Sequence, residues 1–330
     1  MRIELAPGDT HAALADFTAL LDRQEFHAAV DQLAGERGWG APLEVRVQPL
    51  KAHRHRCTFD LAIRTAAGRH AIIGKAYRRD RADIFEAMDA FRLAGFGPDA
   101  AFSIPEPLAH VTSISLRLEE RVPGASAQDV LLGGDLDAQL TAARRCGAWL
   151  GHFHATAPRR LGKRIDLDAE ARRWEEWAAQ MAGAGEPFAR KAPRLLQWLR
   201  ASLPSAAAAV QCAAHGSYIP DHVILSDGCA AAIDLDEYGV GDPAREVAWF
   251  LISLRRMTMK HAGDFHALDG AAAGFLDAYT AVAGPIDPAR TRFYAAVECL
   301  HRGRRDLLAH TPPQAAWAET MLDEALREVA

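Results

Sequence analysis

The chain has 330 residues, of which 49% are hydrophobic, and this is enough for one large domain or two lobes with a hydrophobic core. Its 38 basic and 43 acidic residues give a net charge of −5, which excludes a strongly cationic nucleic-acid-binding surface. The five cysteines show no Cys-x-x-Cys pairing, and the N-terminus lacks the apolar run of a signal peptide. No stretch is long enough to cross a bilayer, so these features predict a soluble cytoplasmic protein without nucleic-acid or membrane partners.

The first part of the chain changes from helical to strand periodicity near Leu43. Residues 10–38 carry apolar side chains at helical spacing, which predicts one or two helices and an N-terminal helical extension over residues 1–42. Three runs with strand character follow, separated by polar or glycine-containing segments, and together they predict an antiparallel meander. These runs are residues 44–50, 57–63 and 70–77.

A helix and two further strands complete the first lobe. Residues 81–96 place Ile84, Met88 and Phe91 on one helical face, with a glycine near the end of the helix. Strands are predicted over residues 108–111 and 114–121. The following Val-Pro-Gly segment, residues 122–124, predicts a hinge.

Beyond the hinge the sequence is rich in alanine and mostly helical. A long helix is predicted over residues 137–157, and one hairpin interrupts the helical region near residues 223–233. Because the strands are segregated from the helices, the chain is predicted to be α+β, with two lobes spanning residues 43–122 and 123–330. The other predicted helices cover residues 169–181, 192–203, 244–257, 271–283, 290–309 and 315–329.

The hairpin brings polar residues from both of its ends to one edge. The loop His215-Gly-Ser-Tyr-Ile-Pro-Asp-His222 leads into the apolar run Val223–Leu225, and Asp227-Gly228 is typical of a tight turn. The returning run ends in Ile233-Asp-Leu-Asp236. Two histidines, three aspartates and Ser217 are thus predicted to meet, which is unusual for a purely structural hairpin.

These motifs resemble those of the aminoglycoside phosphotransferase and choline kinase families. In those kinases the loop has the sequence H-G-D-x-x-x-x-N and the strand ends in I-D-[FWL]-[DE]. The corresponding segments of this chain are His215–His222 and Ile233–Glu237. The resemblance covers about Leu43 to Phe250, with the motifs in the same order. The other segments that resemble motifs of the family are Gly-Lys75-Ala-Tyr77, Glu86–Phe96, Ile104–Leu108, Glu120–Gly124, Leu150–Ala155 and Gly241-Asp-Pro-Ala-Arg-Glu-Val-Ala248.

The resemblance implies a protein-kinase-like, two-lobed fold with the active cleft between the lobes. The N-lobe, residues 43–122, would be an antiparallel sheet with one helix that binds nucleotide. The C-lobe, residues 123–330, would be mainly helical and carry the catalytic hairpin and the acceptor site. The implied reaction moves the γ-phosphoryl group of ATP, with Mg²⁺ or Mn²⁺, to a hydroxyl of an unknown small molecule.

In the N-lobe, the resemblance makes Lys75 the residue that holds the α- and β-phosphates and Glu86 the residue that fixes Lys75. Asp83 and Asp89 are alternative partners, because the phase of the helix is not fixed by the sequence. The segment Lys51–Arg56 stands where the family has its phosphate loop, but it contains no glycine. Its cations either contact phosphate oxygens or form a solvated hairpin tip.

In the C-lobe, the resemblance makes Asp234 the metal ligand, with Asp236 either a second ligand or a turn residue. Two positions depart from the family. His222 replaces the metal-binding asparagine, and its imidazole suits Mn²⁺ or Zn²⁺ better than Mg²⁺. Ser217 replaces the catalytic aspartate and is too weak a base, so either Asp221 takes over this role or the chemistry is weakened.

Two other functions stay open at this point. The departures at the loop fit a catalytically impaired pseudokinase or nucleotide-binding module. The histidines and aspartates of the hairpin would also allow a metal-dependent hydrolase. Structural roles are expected for His215, which supports the loop, for His154 as a packing or capping residue, and for Asp242 and Glu246, which are expected to stabilise the start of the next helix.

Overall fold

The structure is a computed structural model, and it divides into two compact units, Met1–Pro123 and Gly124–Ala330. The division falls inside the segment 122–124. Part of the predicted N-terminal helical region, residues 10–18, lies outside the described residues. The described residues are 2–5, 19–53, 55–159, 162–164, 166–203 and 211–329.

In its described residues, the first unit contains short and medium strands and two α-helices. Its strands are β1 (Arg2–Leu5), β2 (Glu44–His53), β3 (Arg56–Arg64), β4 (Arg69–Tyr77), β5 (Phe102–Ser103), β6 (Pro107–Val111) and β7 (Leu116–Glu120). Its α-helices are α1 (Gln24–Glu36) and α2 (Ala82–Phe91), and a π-helical turn, Arg92–Phe96, follows α2. Six strands form one sheet in the order β1-β2-β3-β4-β7-β6, and every neighbouring pair except β1–β2 is antiparallel.

The described parts of residues 1–42, residues 2–5 and 19–42, pack on the sheet and do not form the separate helical extension that the periodicity predicts. Strand β1 runs parallel to β2 at the edge of the sheet. Helix α1 buries Phe26, Val30 and Leu33, which belong to the same hydrophobic cluster as the sheet residues Val47 and Leu61. An apolar stripe at helical spacing requires a partner surface, and here the sheet supplies it. A four-residue strand is too short to show a clear period in the sequence.

The second unit is mainly helical, as predicted. Its helices are α3 (Ala127–Gly133), α4 (Leu136–Thr156), α5 (Leu167–Ala182), α6 (Phe188–Ala201), α7 (Pro243–Ala262), α8 (Asp269–Ala283), α9 (Pro288–Leu308) and α10 (Ala315–Glu328). Its strands are β8 (Ala125–Ser126), β9 (Lys163–Arg164), β10 (Cys212–Ala214), β11 (Val223–Ser226), β12 (Cys229–Ala232) and β13 (Gly239–Gly241).

Helix α4 packs against the hairpin of the second unit, and its Arg145 donates a hydrogen bond to the carbonyl of Ser226. It packs so closely on α8 that a Cβ added at Gly147 would lie 2.1 Å from the carbonyl oxygen of Phe275. A second cluster of buried residues joins α5, α6, α7, α9 and α10, with Trp174 and Phe293 in edge-to-face contact inside it. This cluster fixes α7, and the close packing on α8 fixes α4. These two helices hold the hairpin loop. No helix in the described ranges is long and apolar enough to span a membrane.

The five cysteines are all free thiols. Four are buried, and burial raises the pKa of Cys57 to about 11 and that of Cys146 to about 12. These thiols stay protonated at neutral pH and pack as small apolar groups.

Candidate active site

The predicted hairpin of the second unit is present and its two ends meet. Strands β11 and β12 pair antiparallel from Val223–Ala232 to Ser226–Cys229, and the turn between them places Gly228 at a φ of 75°. The amide of Ile233 donates to the carbonyl of His222 at 2.9 Å, which brings the returning strand back to the end of the loop.

The loop 215–222 is anchored in the core by its aromatic residue. Tyr218 is fully buried, stacks on Trp149 with ring centroids 5.2 Å apart, and donates its hydroxyl to the carbonyl of Cys146 at 2.8 Å. Gly216 has a φ of 88°, and a Cβ at this position would lie 1.8 Å from the carbonyl oxygen of Glu237. Only glycine satisfies both conditions, so the loop path depends on this residue.

A buried carboxylate, Glu246, braces the start of the loop. Its Oε2 accepts hydrogen bonds from the amide of His215 at 2.8 Å and from Nε2 of His154 at 3.0 Å. Its Oε1 accepts from the amide of Gly216 at 2.7 Å. The Nδ1 of His154 is in turn hydrogen-bonded to the Tyr279 hydroxyl at 2.9 Å. Burial alone raises the pKa of Glu246, but the hydrogen bonds and the charges of His154 and His215 outweigh it, and the pKa is lowered.

The two acidic residues at the start of α7 therefore have different roles. Asp242 is the N-cap, since its carboxylate accepts from the amide of Ala244 at 3.0 Å, and Arg290 pairs with its other oxygen. The prediction of a helix-stabilising role for Glu246 is incomplete, because its side chain points into the core and binds the loop. His154 likewise does more than pack, since its Nε2 binds the same oxygen of Glu246 as the amide of His215.

Three predicted site residues come together at the hairpin edge: Ser217, His222 and Asp234. Nδ1 of His222 lies 2.9 Å from the carbonyl oxygen of Ser217, which can only accept, so this nitrogen carries the hydrogen. Nε2 of the same ring faces Oδ2 of Asp234 at 3.6 Å. The hydroxyl of Ser217 donates to the carbonyl of Asp234 at 3.4 Å. Asp234 itself has a left-handed backbone, with φ 64° and ψ 53°.

The other two residues predicted at this edge, Asp221 and Asp236, are placed less favourably for binding a substrate or a metal ion. Asp221 lies exposed on a short 3-10 turn, Pro220–His222, and Asp236 is buried in the next turn, Leu235–Glu237. Among the described residues, no group of three or more His, Cys, Asp or Glu side chains is arranged to hold a metal ion. The predicted set of three metal ligands is therefore not assembled as a protein cage.

The remaining pair, His222 and Asp234, fits a divalent ion whose other ligands are phosphate oxygens or water molecules. Because the Nδ1 nitrogen of His222 carries the hydrogen, the neutral ring presents its lone pair at Nε2, toward the Asp234 carboxylate. One nitrogen and one oxygen 3.6 Å apart can both reach an ion at ligand distances of about 2.1 Å. A metal that arrives with nucleotide phosphates needs only one or two protein ligands.

The first unit contains the predicted phosphate-binding lysine, but with an unexpected partner. Lys75 is buried on β4, and its Nζ lies 3.2 Å from Oε1 of Glu119 on β7. Arg117 holds the other oxygen of Glu119 at 2.8 Å. Glu86, predicted as the partner of Lys75, is exposed on α2. The alternating polar residues of Leu116–Glu120 were the only sequence signal for Glu119.

The other residues considered in this unit lie on its surface. Asp83 and Asp89 are exposed on α2, and Asp83 pairs with Arg81 at 2.9 Å. The cationic segment Lys51–Arg56 forms the end of the β2–β3 hairpin, where the register shifts between Pro49 and Lys51. Residue 54, at this hairpin end, lies outside the described residues.

Solved structures with a similar fold include proteins named as small-molecule phosphotransferases and kinases. The macrolide 2'-phosphotransferase MphH from Brachybacterium faecium superimposes with a TM-score of 0.54 and 18% identity, over 90% of this chain and 98% of that chain. A choline/ethanolamine kinase family protein from Mesorhizobium loti gives 0.55 and 16%, over 92% and 95%. A protein of Ralstonia eutropha JMP134, provisionally assigned as an aminoglycoside phosphotransferase, gives 0.61 and 16%, over 92% and 97%. These likenesses establish the protein-kinase-like α+β fold that the sequence predicts.

The sequence itself matches the model of a protein family. Comparison with curated proteins gave no significant match. The model of the phosphotransferase enzyme family, however, matches residues 69–294, which is well over half of the chain and includes Lys75 and the whole hairpin. The chain belongs to the phosphotransferase enzyme family.

Proposed function

We propose that this protein transfers the γ-phosphoryl group of ATP to a hydroxyl group of a small molecule. The observation that carries the proposal is the hairpin edge, where Nε2 of His222 and Oδ2 of Asp234 lie 3.6 Å apart beside Ser217. Membership of the phosphotransferase family supports it. The amicoumacin kinase hAmiN, which has a similar fold at 16% identity and a TM-score of 0.56, was solved in complex with AMP-PNP, Ca²⁺ and Ami.

In this proposal, each site residue has one task. Lys75 contacts the α- and β-phosphates, and Asp234 with His222 holds a divalent ion, Mg²⁺ or Mn²⁺. Such an ion, when bound, neutralises charge on the phosphoryl oxygens. Asp236 supports this edge from its buried position rather than completing a third ligand.

Ser217 is the residue best placed to orient the acceptor hydroxyl. It is half-buried at the hairpin edge, whereas Asp221 is exposed on the following turn. A serine hydroxyl can accept or donate a hydrogen bond but is not a useful base at neutral pH. Phosphoryl transfer depends mostly on positioning and charge stabilisation, so an orienting hydroxyl is compatible with a slow transfer reaction.

The names of the structural relatives support a small hydroxylated acceptor. They include a macrolide 2'-phosphotransferase, a choline/ethanolamine kinase family protein and the amicoumacin kinase. A metal-dependent hydrolase is not proposed, since neither the family nor the fold supports it.

A thermal-shift screen of ATP, ADP and GTP with Mg²⁺, Mn²⁺ and Zn²⁺ tests the nucleotide site. We expect ATP with Mn²⁺ or Mg²⁺ to raise the Tm, because a ligand that binds only the folded state stabilises it in proportion to the logarithm of its concentration over Kd. Lys75→Ala should abolish most of this shift. A Tm that no nucleotide and metal combination changes would refute the proposal, and a shift with Zn²⁺ alone would favour the hydrolase.

Ser217, at the position where the family has its aspartate, also favours a nucleotide-binding protein that has lost turnover. The variant Ser217→Asp separates the two functions, because it restores a carboxylate at the hairpin edge. General-base catalysis contributes about 10²–10⁴-fold, so we expect the basal ATPase rate to rise at least about tenfold. If wild type shows no acceptor phosphorylation but Ser217→Asp hydrolyses ATP, the binding function is the native one. If the wild-type rate already exceeds that of the variant, Ser217 is the competent residue.

A further inference from the structure

The first unit contains a polar trio on the sheet face that lies opposite its hydrophobic core. In the antiparallel β4–β7 pair, Lys75 lies directly opposite Arg117, and Glu119 is two residues further along β7. Directly opposed residues and residues two apart share one face of a sheet. The neighbours on the other face, among them Ala76 and Leu118, belong to the hydrophobic cluster. The sheet therefore presents all three charges on one side.

The three charges are almost completely removed from solvent. The exposed fractions of Lys75, Glu119 and Arg117 are 4%, 3% and 0%. Oε1 of Glu119 lies 3.2 Å from Nζ of Lys75, and Oε2 accepts from Nε and Nη2 of Arg117 at 3.0 and 2.8 Å. The guanidinium also lies 5.6 Å from the ring centre of Tyr77. Each oxygen of the carboxylate thus binds a different cation.

This arrangement makes Glu119 necessary for the position of Lys75. Two cations directly opposed across a strand pair repel each other, and burial strengthens the repulsion. The carboxylate between them offsets it, and the two bonds from Arg117 fix the carboxylate in turn. An exposed glutamate such as Glu86 could contribute only a weak, solvent-screened contact.

We propose that Glu119, held by Arg117, is the positioning residue for Lys75, in the role that the family resemblance assigns to Glu86. The inference rests on the proposed function in one respect only, the use of Lys75 to bind phosphates. It implies that the nucleotide-binding geometry is set within the sheet, by β4 and β7, and not by the orientation of α2. Movements of α2 would then leave the ammonium of Lys75 in place.

The test compares Glu119→Gln with Glu86→Gln, which is the same substitution at an exposed position. Calorimetry with Mg²⁺–ADP should show Kd raised about tenfold in Glu119→Gln and changed less than twofold in Glu86→Gln. A readout without nucleotide is the rate at which acetic anhydride labels Lys75, measured by mass spectrometry with Lys191 as internal reference. Without the Glu119 carboxylate, the ammonium of Lys75 should lose its proton more readily. The labelling of Lys75 should therefore accelerate in Glu119→Gln and not in Glu86→Gln.

The two readouts separate the inference from the proposed function. If wild type binds no nucleotide, the proposed function is wrong, and the labelling result alone decides the role of Glu119. Should Glu119→Gln fail to fold, Glu119→Asp replaces it, because its shorter side chain keeps the charge but moves it away from Lys75. Unchanged labelling of Lys75 in the folded Glu119 variant, or a larger effect of Glu86→Gln on either readout, would overturn the inference.

Discussion

Replacing Asp234 by asparagine should weaken metal-dependent ATP binding about a hundredfold or more. The substitution removes the negative charge that faces Nε2 of His222 and leaves only neutral donors for the ion, the imidazole and an amide oxygen. Loss of groups that only support a metal ligand already costs about 10–100-fold in affinity, so loss of the ligand itself should cost at least as much. Asparagine is preferred to alanine because Asp234 has a φ of 64°, a conformation that asparagine tolerates.

Calorimetry with ATP, in the presence of Mn²⁺ or Mg²⁺ and in EDTA, measures this effect. The matched control is Asp227→Asn, which changes an exposed aspartate in the turn of the same hairpin and should bind like wild type. The difference between wild type and Asp234→Asn should disappear in EDTA. An Asp234→Asn protein that binds Mg²⁺–ATP with wild-type affinity would rule out the assignment of this edge as the metal site.

Replacing Glu246 by alanine should lower the free energy of unfolding by about 3–5 kcal/mol. The side chain is buried, and its removal leaves the amides of His215 and Gly216 and the Nε2 of His154 without their acceptor. Each buried donor that loses its partner costs about 1–3 kcal/mol. Because these amides begin the loop 215–222, nucleotide-dependent stabilisation should be lost together with the stability. Urea denaturation followed by circular dichroism measures the change.

The same residue predicts a pH dependence. The pKa of Glu246 is lowered in the folded protein, although burial alone would raise it, because of the hydrogen bond from His154 and the nearby histidine charges. Its contribution to stability is therefore complete above the ordinary glutamate pKa of 4.5 and is lost as the pH falls through the lower folded pKa. Wild type should lose more stability than Glu246→Ala between pH 5 and more acidic conditions.

An exposed helical glutamate serves as the control for both Glu246 measurements. Glu176→Ala in α5 should change the free energy of unfolding by less than about 0.5 kcal/mol at any pH. If Glu246→Ala were as stable as this control, the hydrogen bonds of Glu246 would not hold the loop. Parallel acid profiles for wild type and Glu246→Ala would show that another group sets the acid sensitivity.

Much of the fold could be predicted because it depends on local periodicity. The strands near residues 44–77, the helix after them and the hairpin around Asp227-Gly228 all lie where alternation, helical spacing and turn residues predict. The prediction of a separate extension failed for the described residues 2–5 and 19–42. A short strand carries little periodicity, and the sequence of an amphipathic helix does not show which surface it packs on.

The candidate site was predictable only in part, because part of it depends on which strands pair and in which register. The ends of a hairpin must meet, so the proximity of Ser217, His222 and Asp234 follows from the turn. Glu119 and Lys75, by contrast, meet because β4 pairs with β7 across more than 40 residues, and no local pattern determines that pairing.

By itself, the sequence determined the order of elements, the family motifs and the two departures from them, Ser217 and His222. Tertiary structure alone decided which carboxylate reaches Lys75, and that Glu246 turns inward to bind the loop rather than serving only the start of its helix. A motif records residue types along one segment, whereas the role of a buried charge depends on the strands and helices that bring its partners to it.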